Sequence, residues 1–309
     1  MEPVRDITPR PGMSASQLVQ SMQAGGGFTA KKIGDAVDIL EDMLASDYHV
    51  SLTFPACIIA TGTRGVIREL VRRSLVDLVI TTCGTLDHDI ARTYRDYHHG
   101  SFRLDDVELH KKSVNRLGNV LIPNDSYGAI IEEKMQTWLP ELADERQRWS
   151  TREICEALGT RLDENSILYW AARNKVPVYI PGITDGAVGS QIWLYAQSHP
   201  FQVDMLRDEQ ELSDTFFSRE RDMGALIVGG GISKHHLIWW NQYRGGLDSA
   251  VYITTSPEWD GSLSGARMRE GISWGKLQET ARHVTVEGDA TALLPLMTTA
   301  LLERLPSVR

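Results

Sequence analysis

An alternation constrains this chain more than any other feature. Short, nearly continuous apolar runs such as Asp77-Leu78-Val79-Ile80-Thr81-Thr82 and Gly224-Ala225-Leu226-Ile227-Val228 take turns with longer stretches at helical spacing. A run that is apolar at almost every position suits a strand covered on both faces, as parallel strands are. Strand-like runs are His49–Phe54, Asp77–Thr82, Asn119–Ile122, Val176–Pro181, Gly224–Val228, Ala250–Thr255 and His283–Val286. Helical patterns fill the intervals: Lys31–Ala45, Ile59–Ser74, Tyr127–Leu142, Thr151–Leu158, Glu164–Asn174, Gln191–Ser198, Glu209–Arg221, Lys234–Tyr243 and Ala290–Leu305. This βαβα order predicts an α/β fold, a doubly wound and mostly parallel Rossmann-like sheet in a single large domain. Residues 1–15, rich in proline and polar groups, read as an N-terminal arm, which leaves 16–309 as the domain.

Bulk properties narrow the function. A chain of 309 residues can bury a large core. The formal charge of −9 argues against a nucleic-acid partner and favours cationic ones such as polyamines or a basic protein loop. Cys57, Cys83 and Cys155 are too few and too scattered for a disulfide framework or a zinc site, so no metal is expected. No signal peptide, lipidation motif or apolar run of membrane-spanning length is evident, which points to the cytoplasm and away from a membrane.

In open α/β sheets ligands gather beyond the carboxyl ends of the strands, and polar clusters recur at those places. Thr81-Thr82-Cys83-Gly84-Thr85-Leu86-Asp87-His88-Asp89 follows one run, and Thr184-Asp185-Gly186 another. Gly229-Gly230-Gly231 follows a third, Thr254-Thr255-Ser256 a fourth, and Gly288-Asp289-Ala290 the last. Each has a structural reading beside a functional one. The glycines form either a tight turn or a phosphate cradle. Asp87, His88 and Asp89 either cap a helix or face a ligand, and Asp289 is an N-cap candidate for the final helix. Lys234 reads as a surface or phosphate-facing residue. No clean Gly-x-Gly-x-x-Gly is present.

The stretch Ser273-Trp274-Gly275-Lys276 sets a lysine beside an indole. A lysine forms an imine only while neutral, and at an ordinary pKa of ~10.4 roughly one molecule in 2,500 is neutral at pH 7. A dry aromatic wall or a neighbouring cation raises that fraction. Trp274 and Lys276 are therefore either a core tryptophan with a solvent lysine or the two parts of a Schiff-base site.

Taken together, Gly26-Gly27-Phe28, Gly62-Thr63-Arg64, Asn115-Arg116-Leu117-Gly118-Asn119, Ile122-Pro123-Asn124-Asp125, Thr184-Asp185-Gly186, Gly229–His236, Asp260-Gly261-Ser262 and Ser273–Lys276 make the chain resemble the deoxyhypusine synthase family. The resemblance runs from about Gly25 to the final helix, and Asp87-His88-Asp89 suggests the archaeal branch. It implies NAD-dependent transfer of the aminobutyl group of spermidine, or a related amine donor, to one lysine of the initiation factor 5A precursor. It further implies a homotetramer with sites at subunit interfaces. Lys276 matches the imine-forming lysine and His235 a proton-transfer residue. Asp87, Glu270, Trp274, Gly261 and Ser262 match substrate-binding positions. Thr82, Cys83, Gly84, His88, Asp185, Gly230, Thr255, Ser256, Asp260, Asp289 and Ala290 match cofactor-binding positions.

Several positions depart from the eukaryotic pattern of that family: Ala56-Cys57 replace Ser-Asn, His88 replaces a glutamate, and Ser190 and Leu263 replace aspartates. The last two suggest a shifted amine site or a donor such as agmatine. Homospermidine synthase, which hands the same group to a free polyamine, and a catalytically silent NAD-binding paralogue are the alternatives.

Overall fold

The computed structural model describes residues 1–218 and 220–305. Arg219, inside the expected helix Glu209–Arg221, and 306–309, inside the expected domain 16–309, lie outside the described residues. Two compact units form, the first from Met1–Phe54, Arg73–Ile80 and Leu212–Arg309, the second from Pro55–Arg72 and Thr81–Glu211. Neither corresponds to one continuous segment of chain.

The first unit is built on parallel strands in the order Leu277–Glu287, Leu247–Thr254, Met223–Val228, His49–Thr53, Leu78–Ile80. The doubly wound α/β arrangement expected from the alternation is present, with helices flanking a parallel sheet. Every residue of Met223–Val228 is buried, which explains a run without polar alternation. Helix Phe28–Ala45 buries Ile33, Val37, Leu40 and Leu44, spaced at helical intervals, and packs on strands Leu277–Glu287 and Leu247–Thr254. Each such side chain contributes about 1.5–3 kcal/mol on leaving water.

Strand order places the functional end. From His49–Thr53 the chain extends the sheet one way to Leu78–Ile80. From Met223–Val228 it extends the other way through Leu247–Thr254 to Leu277–Glu287. The reversal falls between His49–Thr53 and Met223–Val228, and ligands of such sheets bind at that point, beyond the carboxyl ends. The triple glycine begins there, directly after Val228.

One expected strand is placed differently. The run Asn119–Ile122 does form a strand, Val120–Pro123, but pairs antiparallel with Val114–Leu117 and His98–His99 in a separate small sheet of the second unit. Only Gly118-Asn119 separate it from Val114–Leu117, and a two-residue connection joins antiparallel strands only. Among the described residues four helices escaped the sequence pattern, Ala15–Gly25, Cys83–Tyr94, Asp106–Lys111 and Glu270–Ser273. The first opens with a capping box in which the Gln17 amide donates to the Ser14 hydroxyl and the Ser14 amide to the Gln17 side chain.

Candidate active site

Lys276 owes its position to the backbone. Helix Glu270–Ser273 ends in a Schellman turn: the Gly275 amide donates to the Ile272 carbonyl (3.0 Å) and the Lys276 amide to the Gly271 carbonyl (2.9 Å). The turn needs a left-handed residue, and Gly275 sits at φ +67°. On the far side the Lys276 carbonyl accepts from the Leu247 amide (3.1 Å). The side chain is thus delivered from a fixed point.

That side chain is 8% exposed. Its Nζ lies 5.7 Å from the ring centroid of Trp239 and 5.3 Å from that of Trp274, and among the described residues it has no hydrogen-bond acceptor. The bland alternative, a lysine in open solvent, does not describe this residue. Trp274, by contrast, is 61% exposed rather than a core tryptophan.

A cavity of about 310 Å³ surrounds the amine, lined in part by Lys276, Trp274, Trp239, His235, Glu270 and Leu263. His235 and Trp239 are one turn apart on helix Gly231–Arg244, and their rings stack with centroids 5.7 Å apart. Partial burial, and then the Lys276 charge, hold the His235 imidazole below its usual value. At neutral pH it is therefore an uncharged ring able to take up a proton. Exposed Glu270 supplies a carboxylate at the same cavity. A buried amine, a neutral imidazole, a carboxylate and indole faces together suit a cationic, chain-like amine.

Lys234 corrects the reading of a surface residue: it is 1% exposed. Its Nζ donates to the Leu263 carbonyl (2.9 Å) and the Ala266 carbonyl (2.6 Å), and stands 3.7 Å from the centroid of the Tyr252 ring. Burial pushes its pKa down to about 7. Trp239 and Tyr252 were likewise not singled out from the sequence. Trp239 carried a signal, its spacing of four from His235 on one helix. Lys234 and Tyr252 carried none, because their partners are backbone carbonyls far along the chain.

The expected cofactor positions of the first unit cluster at strand ends. Gly230 is the N-cap of helix Gly231–Arg244, without a side-chain cap bond, so the first-turn amides remain available to an anion. Its lack of a side chain has a local cause, since a Cβ there would lie 2.5 Å from the Cα of Ser264. Thr255 is exposed, Ser256 half-buried. The Asp260 carboxylate accepts from the Ser262 amide (2.7 Å) and hydroxyl (2.6 Å), across Gly261, and is held below the usual carboxylate range by those bonds. Asp289 caps the final helix by accepting from the Thr291 amide (2.6 Å), with Ala290 as its first residue. Uncapped amides, exposed hydroxyls and carboxylates with spare lone pairs fit a ligand of phosphates and sugar hydroxyls.

Thr82, Cys83, Gly84, Asp87, His88 and Asp185 belong to the second unit. Asp87 is fully buried and accepts three hydrogen bonds: one carboxylate oxygen accepts from the Tyr127 hydroxyl (2.8 Å) and the Ala187 amide (2.8 Å), the other from the Val188 amide (2.8 Å). It therefore caps helix Ala187–Ala196, whose own N-cap, Gly186, has no side chain to do so. Burial raises its pKa even so. His88 bonds through Nδ1 to the Tyr97 hydroxyl (2.9 Å), and burial pushes its pKa down to about 4. Burial raises the Cys83 thiol well above its ordinary value, so it is not a thiolate nucleophile. The Thr82 hydroxyl accepts from the Ala56 amide (3.3 Å), while Asp185 is exposed.

Among the described residues no group of three or more His, Cys, Asp or Glu could hold a metal ion, and no helix is long and apolar enough to cross a membrane.

Comparison with known proteins agrees with this chemistry. Residues 17–301 match the family model described as deoxyhypusine synthase. A "Probable deoxyhypusine synthase" of Picrophilus torridus is 53% identical over 304 residues, covering 98% of this chain and 97% of the relative. Its counterpart in Thermoplasma acidophilum is 52% identical over 297 residues, 96% of each chain. A solved structure described as a "putative deoxyhypusine synthase from Entamoeba histolytica" shares the fold, with a TM-score of 0.64 at 22% identity over 95% of this chain and 94% of that one. The chain belongs to the deoxyhypusine synthase family of aminobutyl transferases.

Proposed function

We propose that the chain uses NAD to activate a spermidine-class donor, captures the four-carbon fragment as an imine on Lys276, and passes it to a lysine of the initiation factor 5A precursor. The observation that carries this reading is the placement of Lys276, a buried amine between two indoles in a cavity that also holds a neutral histidine and a carboxylate. NAD, when bound, supplies the acceptor and later the donor of hydride. The uncapped start of helix Gly231–Arg244 would take its phosphates, and Thr255, Ser256, Asp260 and Asp289 its hydroxyls.

The chain's own residues do the rest. Glu270 holds an ammonium end of the donor, a charge-assisted contact of about 1.5–3 kcal/mol. The Trp239 and Trp274 faces flank the methylene chain and exclude water. His235 accepts a proton at its imidazole so that an amine can attack. Lys276 Nζ adds to the imine carbon of the oxidised donor, the old C–N bond breaks, and diaminopropane leaves carrying the proton. The acceptor lysine displaces Lys276 in the same manner. Ile232, Trp239 and Tyr243 on helix Gly231–Arg244, all more than a third exposed, form an apolar stripe beside the cavity. That stripe supports a homotetramer in which a second copy covers the amine site.

The test is incubation with NAD, labelled spermidine and the factor precursor, with borohydride trapping. Label on the acceptor lysine and a trapped adduct at Lys276 are expected. Label only in a free polyamine would indicate the homospermidine reaction, and no adduct with any amine donor would sink the reading.

A further inference from the structure

Two lysines line the one cavity, and the structure separates their jobs. We infer that Lys234 is a positioning residue, a buried latch that holds the turn Leu263–Ala266 in place and so sets the wall of the amine site. This inference deepens the reading of the cavity as the donor site and rests on it.

Three observations converge on that turn. The Lys234 ammonium has three N–H bonds: two point to the Leu263 and Ala266 carbonyls, and the ring of Tyr252 stands 3.7 Å away to receive the third. Tyr252 and Thr254, from the neighbouring strand, both donate hydroxyl protons to the carbonyl between them, that of Ser264 (2.5 and 2.9 Å). Gly230, the residue that opens the helix carrying Lys234, leaves room for Ser264 to pass. Carbonyls of Leu263, Ser264 and Ala266 are thereby held by side chains from two different elements. Downstream of the turn, Met268 is buried and Glu270 starts the short helix Glu270–Ser273, whose closing turn delivers Lys276. Loosening the turn would let Leu263 and Glu270 drift while leaving the Schellman turn under Lys276 intact.

The same geometry favours Lys276 over Lys234 as the nucleophile. All three of its donors are spent, whereas the Lys276 amine has rings around it and no acceptor among the described residues. Glu270, Arg267 and Lys276 face this region from the segment after the turn, Tyr252 from the strand, and His235 from the helix of Lys234 itself.

Lys234→Met keeps the length and removes the donors. Amide hydrogen exchange in 262–270 is expected to accelerate at least tenfold, with exchange in Met223–Val228 unchanged. The donor KM is expected to rise about tenfold or more, with a smaller change in kcat. Should Lys234→Met not accumulate as folded protein, the pair Tyr252→Phe and Thr254→Val removes the hydroxyl donors to Ser264 and is expected to give the same local exchange signature. Unchanged exchange in 262–270, or a donor KM within twofold of the parent, would overturn the latch. A parent enzyme that transfers no label would instead remove the donor-site reading, while the exchange result would still decide whether Lys234 secures the turn.

Discussion

Three carboxylates of the second unit and two charged groups of the first differ in what they have left to bond. In the second unit, Asp87, Asp89 and Asp208 are each buried, and each accepts paired backbone amides at the start of a helix. Asp89 also takes the Ser166 hydroxyl (2.7 Å) and the Arg64 guanidinium (2.8 Å). Asp89 thereby accepts four hydrogen bonds, two on each oxygen. In the first unit, Lys276 and Glu270 share a cavity, and neither side chain has a hydrogen-bonded partner among the described residues. On the proposed reading the difference separates scaffold from reaction site: a well-bonded buried carboxylate stabilises a helix start, and the amine and carboxylate of the cavity keep their bonds for a ligand.

The largest way to break this comparison is Lys276→Ala. It should lower label transfer by on the order of a thousandfold or more and abolish borohydride trapping, with the urea midpoint little changed. Substantial residual trapping would move the nucleophile elsewhere. Asp89→Ala should do the reverse, because it takes the ion-pair partner from Arg64 and leaves the first two amides of helix Ile167–Asn174 without their acceptor. A loss of about 3–5 kcal/mol is expected from denaturant titration.

His88 provides a pH test. Its folded value of about 4 lies below the ordinary 6.5, so the unfolded chain binds the proton first. Its contribution is complete above pH 6.5 and is lost as pH falls from 6.5 towards 4, by at most roughly 3 kcal/mol. Urea midpoints measured between pH 7.5 and 4.5 should fall less steeply in His88→Gln. Identical slopes would remove His88 from the balance.

The smallest effects sharpen the comparison most, because the family resemblance gave Asp87 and Glu270 the same task. Glu270→Gln should raise the donor KM about tenfold, in line with ~1.5 kcal/mol for a charge-assisted contact. Asp87→Asn should instead cost about 1 kcal/mol of stability as a weakened cap, with a smaller change in donor KM. An Asp87 variant with the larger KM effect would return that carboxylate to the amine. Running the two with agmatine and spermidine in parallel would show whether Leu263, which lines the cavity in place of a carboxylate, has shifted the donor.

Much of the parallel sheet was legible because burial on both faces leaves a plain mark, an unbroken apolar run. Helix Cys83–Tyr94 was not, because its buried face includes Thr85, Asp87 and Asp89, so no apolar stripe betrays it. Of the cavity, Trp274 and Lys276 were legible in their own motif, and His235 and Glu270 through the family resemblance. Lys234 was not, because what holds it is main-chain carbonyl oxygen contributed some thirty residues later, and carbonyls have no sequence signature.

The turn at Gly275 has a consequence for anyone wishing to repurpose this protein. Main chain, not side chain, decides where residue 276 projects, so other reactive groups could be installed there without redesigning their surroundings. A genetically encoded aminooxy or hydrazine side chain at that address would turn the pocket into a trap for small aldehydes.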